Sequence, residues 1–173
     1  GKHTHVIFHL DRGGILYYND FRRCGWIKIV KEEEVSSLPF FKELGPEFVV
    51  EGHSGERKRR QNRFWTSQND GRRVLTLDKF EEILSKSGAP VKAVLMDQQK
   101  MGGVGNIYAN DGLYLAGIDP RRKAKSLSEP EVKKLYESLL EVLRRGLKYG
   151  GATELSFVNA IGEEGGYQEH FLV

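Results

Sequence analysis

Residues 102–111 read GGVGNIYAND, and the reading of this stretch decides how the second half of the chain folds. Its glycines stand directly in front of a helix-like run. A nucleotide phosphate cradle is one reading, but the stretch lacks the Lys-Ser/Thr of a P-loop and the GxGxxG spacing of a dinucleotide fold. The preceding VKAVLMDQQK reads as a short helix, not a buried strand. The order is therefore helix, glycine turn, helix. Glycine permits a tight reversal and lets another backbone or a ligand come close. Amides at the start of the second helix, with Gly105 and Asn106 at that point, suit one phosphate oxygen better than a free nucleotide. A plain helix–turn–helix connection with Asn106 as N-cap explains the same residues.

Downstream of the turn the spacing predicts a helix from Asn106 to Ala116, closed by Gly117. A longer helix follows, with Ser128 and Glu131 as a capping box and Pro130 in the first turn. Val132, Leu135, Tyr136, Leu139, Leu140, Leu143 and Leu147 form its apolar stripe, and Gly150-Gly151 ends it. Residues 152–173 read as a loop and the start of something extended. Upstream, Thr76 caps a helix whose face carries Leu77, Phe80, Ile83 and Leu84, and Pro90 opens a short one.

The first fifty residues are β-like. HVIFHL (5–10) and ILYYN (15–19) flank the turn signal DRGG. WIKIVK (26–31) alternates apolar and basic residues as a half-buried strand does. Between the two regions lies a stretch poor in aliphatic residues, within which ERKRRQNR (56–63) holds five basic residues and one acid. It reads as a solvated loop or as a phosphate-contacting one. The fold class is α+β: a partial antiparallel β-sandwich followed by a helical domain. The expected divisions are 1–50, a linker or insertion at 51–75, and 76–173.

Composition narrows the function. With 39% hydrophobic and 29% charged residues the chain is globular, and its apolar runs are too short to span a membrane. The net charge of +3 is a mild lean towards polyanions. Cys24 is the single cysteine, so no internal disulfide forms and no zinc-type Cys/His pairing exists. No leader-like segment opens the sequence, and a reducing, cytoplasmic setting is expected.

MDQQKMGGVGNIYANDGLYLAGIDP (96–120) closely resembles the helix–two-turn–helix signature of the formamidopyrimidine-DNA glycosylase and endonuclease VIII family. KHTHVIFHLDRGGILYYNDFRRCGWIKIV (2–30), LGPE (44–47) and GGATELSFV…GGY (150–167) resemble further blocks of that family in the same order. The family excises oxidised bases from DNA, so the resemblance implies a base-excision repair glycosylase/AP lyase acting on oxidised bases, with purines as the default. The expected partner is double-stranded DNA carrying a damaged or abasic site, in a bacterial, nucleoid-associated setting.

The resemblance also implies roles. Asn106 matches the asparagine that binds the phosphate near the damaged nucleotide, with Gly105 beside it, and Tyr108 joins that site or packs. Arg22 matches the arginine that enters the duplex and faces the estranged base. Lys92 matches a lysine near the phosphates and the flipped base, and His3 a histidine that contacts the backbone. Cys24 stands where many members carry a wedge phenylalanine, and Phe21, in place of a proline, is a substitute wedge. Plain structural roles remain open for each.

The family's chemistry uses an N-terminal proline amine and a following glutamate, and its zinc finger inserts an arginine into DNA. Neither matches a segment of this sequence. The expectation is a central fragment that binds DNA without catalytic residues, cofactor or metal of its own, and that self-associates through truncated sheet edges. Rival readings are a non-catalytic DNA-binding module and a helix–two-turn–helix RNA- or ribosome-binding protein.

Overall fold

The computed structural model describes residues 2–48, 74–152 and 164–173. The basic stretch at 56–63 and residues 153–163 of the expected C-terminal loop lie outside the described residues. The chain divides into two compact units, 1–38 and 39–173.

The first unit is built on a hairpin. Strands β1 (Thr4–His9) and β2 (Ile15–Asn19) pair antiparallel, with Val6 opposite Tyr18 and Phe8 opposite Leu16. The turn predicted from DRGG closes with Leu10 N–H donating to Gly14 O at 3.1 Å and Gly13 N–H to Leu10 O at 3.1 Å. The register shifts between Thr4 and Val6, a local bulge. There Thr4 Oγ1 donates to Asn19 Oδ1 at 2.7 Å, and His5 Nε2 lies 2.9 Å from Asp20 O.

Residues 26–31 do not form the expected strand. They carry no ladder bonds, and Trp26, Ile27 and Ile29 are exposed. Alternation makes a strand only where a neighbouring edge supplies hydrogen bonds, and the sheet of the described residues has two strands.

The second unit is helical: α1 (Pro39–Glu43), α2 (Leu77–Ser85), α3 (Val91–Met96), α4 (Asn106–Ala116) and α5 (Glu129–Lys148). Short 3₁₀ turns cover Ala124–Ser126 and Tyr167–His170. The α2 start is as the sequence dictates, since Thr76 Oγ1 accepts the Lys79 N–H at 3.3 Å. At α5, Ser128 N–H and Oγ–H both donate to Glu131 Oε2, at 2.8 and 2.9 Å. Phe80, Leu84, Val94, Leu95, Leu113, Leu135 and Leu139 are fully or almost fully buried in one core.

Three details differ from the periodicity alone. Val142 and Gly146 face inward on α5 while Leu147 is exposed, because the stripe follows the partner helix α4 and not an ideal wheel. Residues 167–170 form a 3₁₀ turn where an extended segment is expected. Residues 39–48, grouped by composition with the β piece, fold with the helices. Gly45 N–H donates to Gln98 O at 2.8 Å, Gly102 N–H to Pro46 O at 2.9 Å, and Leu75 N–H to Glu47 O at 2.8 Å. The LGPE block is thus an extended strip against the glycine turn.

Candidate nucleic-acid interface

The glycine turn is held by one side chain that the sequence does not single out. Gln98 Oε1 accepts the Gly103 N–H at 3.0 Å, and its Nε2 donates to Val104 O at 2.9 Å and to Met96 O at 3.3 Å. The amide ties the end of α3 to the turn on both sides. The only sequence signal for it is a polar residue placed between a short helix and a glycine pair. Gly103 has φ +86°, a left-handed conformation that side chains resist. Asp97 ends α3: its Oδ1 accepts the Gln99 N–H at 3.1 Å, and Lys100 Nζ donates to its Oδ2 at 2.6 Å. The Lys100 bond, foremost, holds its carboxyl below the usual range.

This bracing presents the start of α4. Gly105, not Asn106, is the N-cap, and Asn106 is the first helical residue. Both are exposed. Ala109 N–H donates to Gly105 O at 2.9 Å, so the amides of residues 106–108 precede that bond at the positive end of the helix. The Asn106 side-chain amide has no hydrogen-bond partner among the described residues.

Tyr108 points elsewhere. Its half-buried ring lies 5.3 Å from the Tyr167 ring, and a Cβ at Gly146 would come within 2.6 Å of its Cε1. Burial, and after it the Asp111 charge, raise its phenol above the ordinary value. The ring fills the α4–α5 seam. Lys92 is half-buried on α3, its backbone N–H donating to Pro120 O at 3.3 Å and its ammonium making no ion pair among the described residues.

In the first unit, the arginine loop follows β2 and is organised by Asp20. Asp20 Oδ1 accepts the Arg23 N–H at 2.8 Å, and Oδ2 accepts the Gly25 N–H at 2.6 Å. The Gly25 bond, ahead of the others, lowers the Asp20 carboxyl below its ordinary value. Arg23 adopts φ +54°, a costly conformation outside glycine that the two bonds impose. Arg22, Cys24 and Phe21 are exposed, and the Arg22 guanidinium makes no ion pair among the described residues. The Cys24 thiol donates to Arg22 O at 3.3 Å. His3 packs edge-on against Phe21 at 4.7 Å. Asp20 belongs to the Asn-Asp turn that precedes the arginine pair. Its signal is the Asx-turn preference of an aspartate two residues before an arginine pair.

No group of three or more His, Cys, Asp or Glu side chains among the described residues could hold a metal ion. No helix among them is long and apolar enough to cross a membrane.

A short helix, a braced glycine turn and a second helix with free leading amides define a helix–two-turn–helix protein. Residues 69–157 match the family model of the formamidopyrimidine-DNA glycosylase H2TH domain. The chain belongs to that family. It is 35% identical over 173 residues to the formamidopyrimidine-DNA glycosylase of Lactiplantibacillus plantarum, covering 100% of this chain and 55% of the relative. The enzyme of Moorella thermoacetica is 36% identical over 171 residues, covering 99% and 54%. The crystal structure of MutM (Fpg) from Thermus thermophilus superposes with a TM-score of 0.77 at 31% identity, over 99% of this chain and 56% of that one. The Lactococcus lactis Fpg in complex with abasic-site DNA gives 0.76 at 27% identity, over 99% and 54%. The chain spans about half the length of the curated relatives it matches.

Proposed function

We propose that this chain is the DNA-binding core of a base-excision repair glycosylase/AP lyase acting on oxidised bases, purines by default, in the bacterial cytoplasm. The observation that carries the reading is the exposed start of α4, where Asn106 and the leading amides stand free beside a turn braced by Gln98. A backbone phosphate supplies the acceptor those donors lack. Arg22, raised on the Asp20-built loop, is the side chain that enters the duplex, with Phe21 and Cys24 beside it as wedge. Lys92 and His3 add contacts to phosphates. Taking a base out of the stack costs a few kcal/mol, and the phosphate contacts and the inserted side chain offset it. The Lactococcus lactis relative in complex with abasic-site DNA supports this choice of partner.

The test is binding of the 173-residue chain to a duplex containing a tetrahydrofuran abasic analogue, against structured RNA. Asn106→Ala is expected to weaken duplex binding by about tenfold or more, the loss of one hydrogen bond to a charged group. Equal binding to RNA, or no effect of Asn106→Ala, overturns the reading. The chain as it stands is expected to bind without chemistry; a borohydride-trapped adduct with an abasic duplex would show otherwise.

A further inference from the structure

A polar cleft of about 490 Å³ lies between the last turns of α5 and residues 170–172. Among the described residues, Arg144, Arg145, Lys148, Tyr149 and His170 line it, with Glu141 as the one acid. Arg145 Nε donates to Glu141 Oε1 at 2.8 Å, so that pair is internally balanced. Arg144 and Lys148 are not balanced. They stand four residues apart on one helix face, an unfavourable like-charge spacing, and neither makes an ion pair among the described residues. The Lys148 ammonium sits 5.2 Å above the Tyr149 ring, which stacks on His170 at 3.7 Å. The negative end of α5 explains why cations gather in its last turn. It does not explain why two unpaired ones border a concave surface walled by stacked rings.

The position of the cleft is informative. Helices α4 and α5 run antiparallel, with Gly112 against Leu139 and Tyr108 against Gly146. The first turn of α4, with Asn106, therefore lies at the same end of this unit as Arg144 and Lys148. We infer that the cleft takes the phosphodiester backbone of the DNA strand bound at Asn106, so that Arg144 and Lys148 contact phosphates further along it. This rests on the reading of Asn106 as a phosphate contact and extends its footprint.

The test is the salt dependence of binding to the tetrahydrofuran duplex for the full 173-residue chain, Asn106→Ala and Arg144→Gln/Lys148→Gln. Both substituted side chains are exposed, and circular dichroism checks that the fold is kept. Two lost phosphate contacts are expected to make the slope of log K against log salt shallower by about 1.8. An unchanged slope in the double variant, with Asn106→Ala still weakening binding, overturns this inference alone. If Asn106→Ala has no effect either, the underlying reading fails first. A double variant that loses slope on the duplex but not on inorganic phosphate competition identifies the strand, and equal competition by inorganic phosphate points to a small-anion site instead and overturns the strand assignment.

Discussion

Asp111 is the most consequential residue that the sequence leaves anonymous. Among the described residues it is the buried charged side chain, 1% exposed. Its Oδ2 accepts the Tyr167 hydroxyl at 2.7 Å and its Oδ1 the Leu172 N–H at 3.2 Å, fastening the last segment to the middle of α4. Burial first, and then the Asp111 bond, push the Tyr167 phenol well above its ordinary range. Replacing Asp111 leaves the buried Tyr167 hydroxyl and the Leu172 N–H without their acceptor. Asp111→Ala is expected to cost ~1–3 kcal/mol in urea unfolding, and Tyr167→Phe less, because Leu172 keeps its acceptor. Asp20 works on the surface instead. Asp20→Ala removes the acceptors of Arg23 and Gly25 and should weaken abasic-duplex binding as Arg22→Ala does, since the loop that raises the arginine relaxes. The Asp20 carboxyl is lowered in the folded state, so this support is present at neutral pH and lost as pH falls through the folded value.

At the scale of elements, α4 and α5 meet through glycines. A Cβ at Gly112 would lie 2.6 Å from Leu139 Cδ2 and 3.1 Å from its Cγ, inside a filled core. Gly112→Ala is therefore an overpacking change expected to cost ~1–3 kcal/mol, read from the urea midpoint. The capping box of α5 gives a pH signature. Glu131 accepts from Arg122, then from Ser128, and these bonds hold its carboxyl down at about 2. A depressed folded-state value means that the stabilisation is complete above the ordinary carboxylate range. It disappears as pH falls from there to about 2. Thermal midpoints should drop through that window, and Glu131→Gln should flatten the drop while lowering the midpoint at neutral pH. A Glu131→Gln chain with the same acid profile as the parent would sink this assignment. Gly117 closes α4 at φ +72°. Nothing comparable closes α2, which ends at Ser85 with Lys86 as a right-handed C-cap.

At the scale of the molecule, the two units are unequal. Among the described residues, every buried core hydrophobic belongs to 75–167, in the helical unit. The hairpin unit leaves Ile7, Leu16, Tyr17 and Ile29 exposed. Among the described residues the sheet has two strands, and a two-stranded hairpin by itself is marginal in water. Amide hydrogen exchange is thus expected to be fast throughout β1 and β2 and slowest in α4 and α5, where local opening approaches global unfolding. Protection of the hairpin amides equal to that of α5 would contradict this division.

The sequence by itself determined the local structure and the family. Thr76, Pro90, Gly117 and the Ser128–Glu131 pair set helix ends through bonds or backbone angles within a few residues. DRGG set the hairpin for the same reason, and the GGVG turn before NIYAND, with its flanking blocks, marked the helix–two-turn–helix protein. Only the tertiary structure decided the long-range partners. Alternation in WIKIVK could not reveal that, among the described residues, no neighbouring edge receives it. Composition could not reveal that LGPE pairs with residues beyond position 74, that Gln98 spans the glycine turn, or that Tyr108 turns into the α4–α5 seam while Asn106 stays exposed. Caps and turns are satisfied by groups a few bonds away and so are written in short stretches. Burial and side-chain direction depend on surfaces that distant segments bring together, and these exist once the chain has folded.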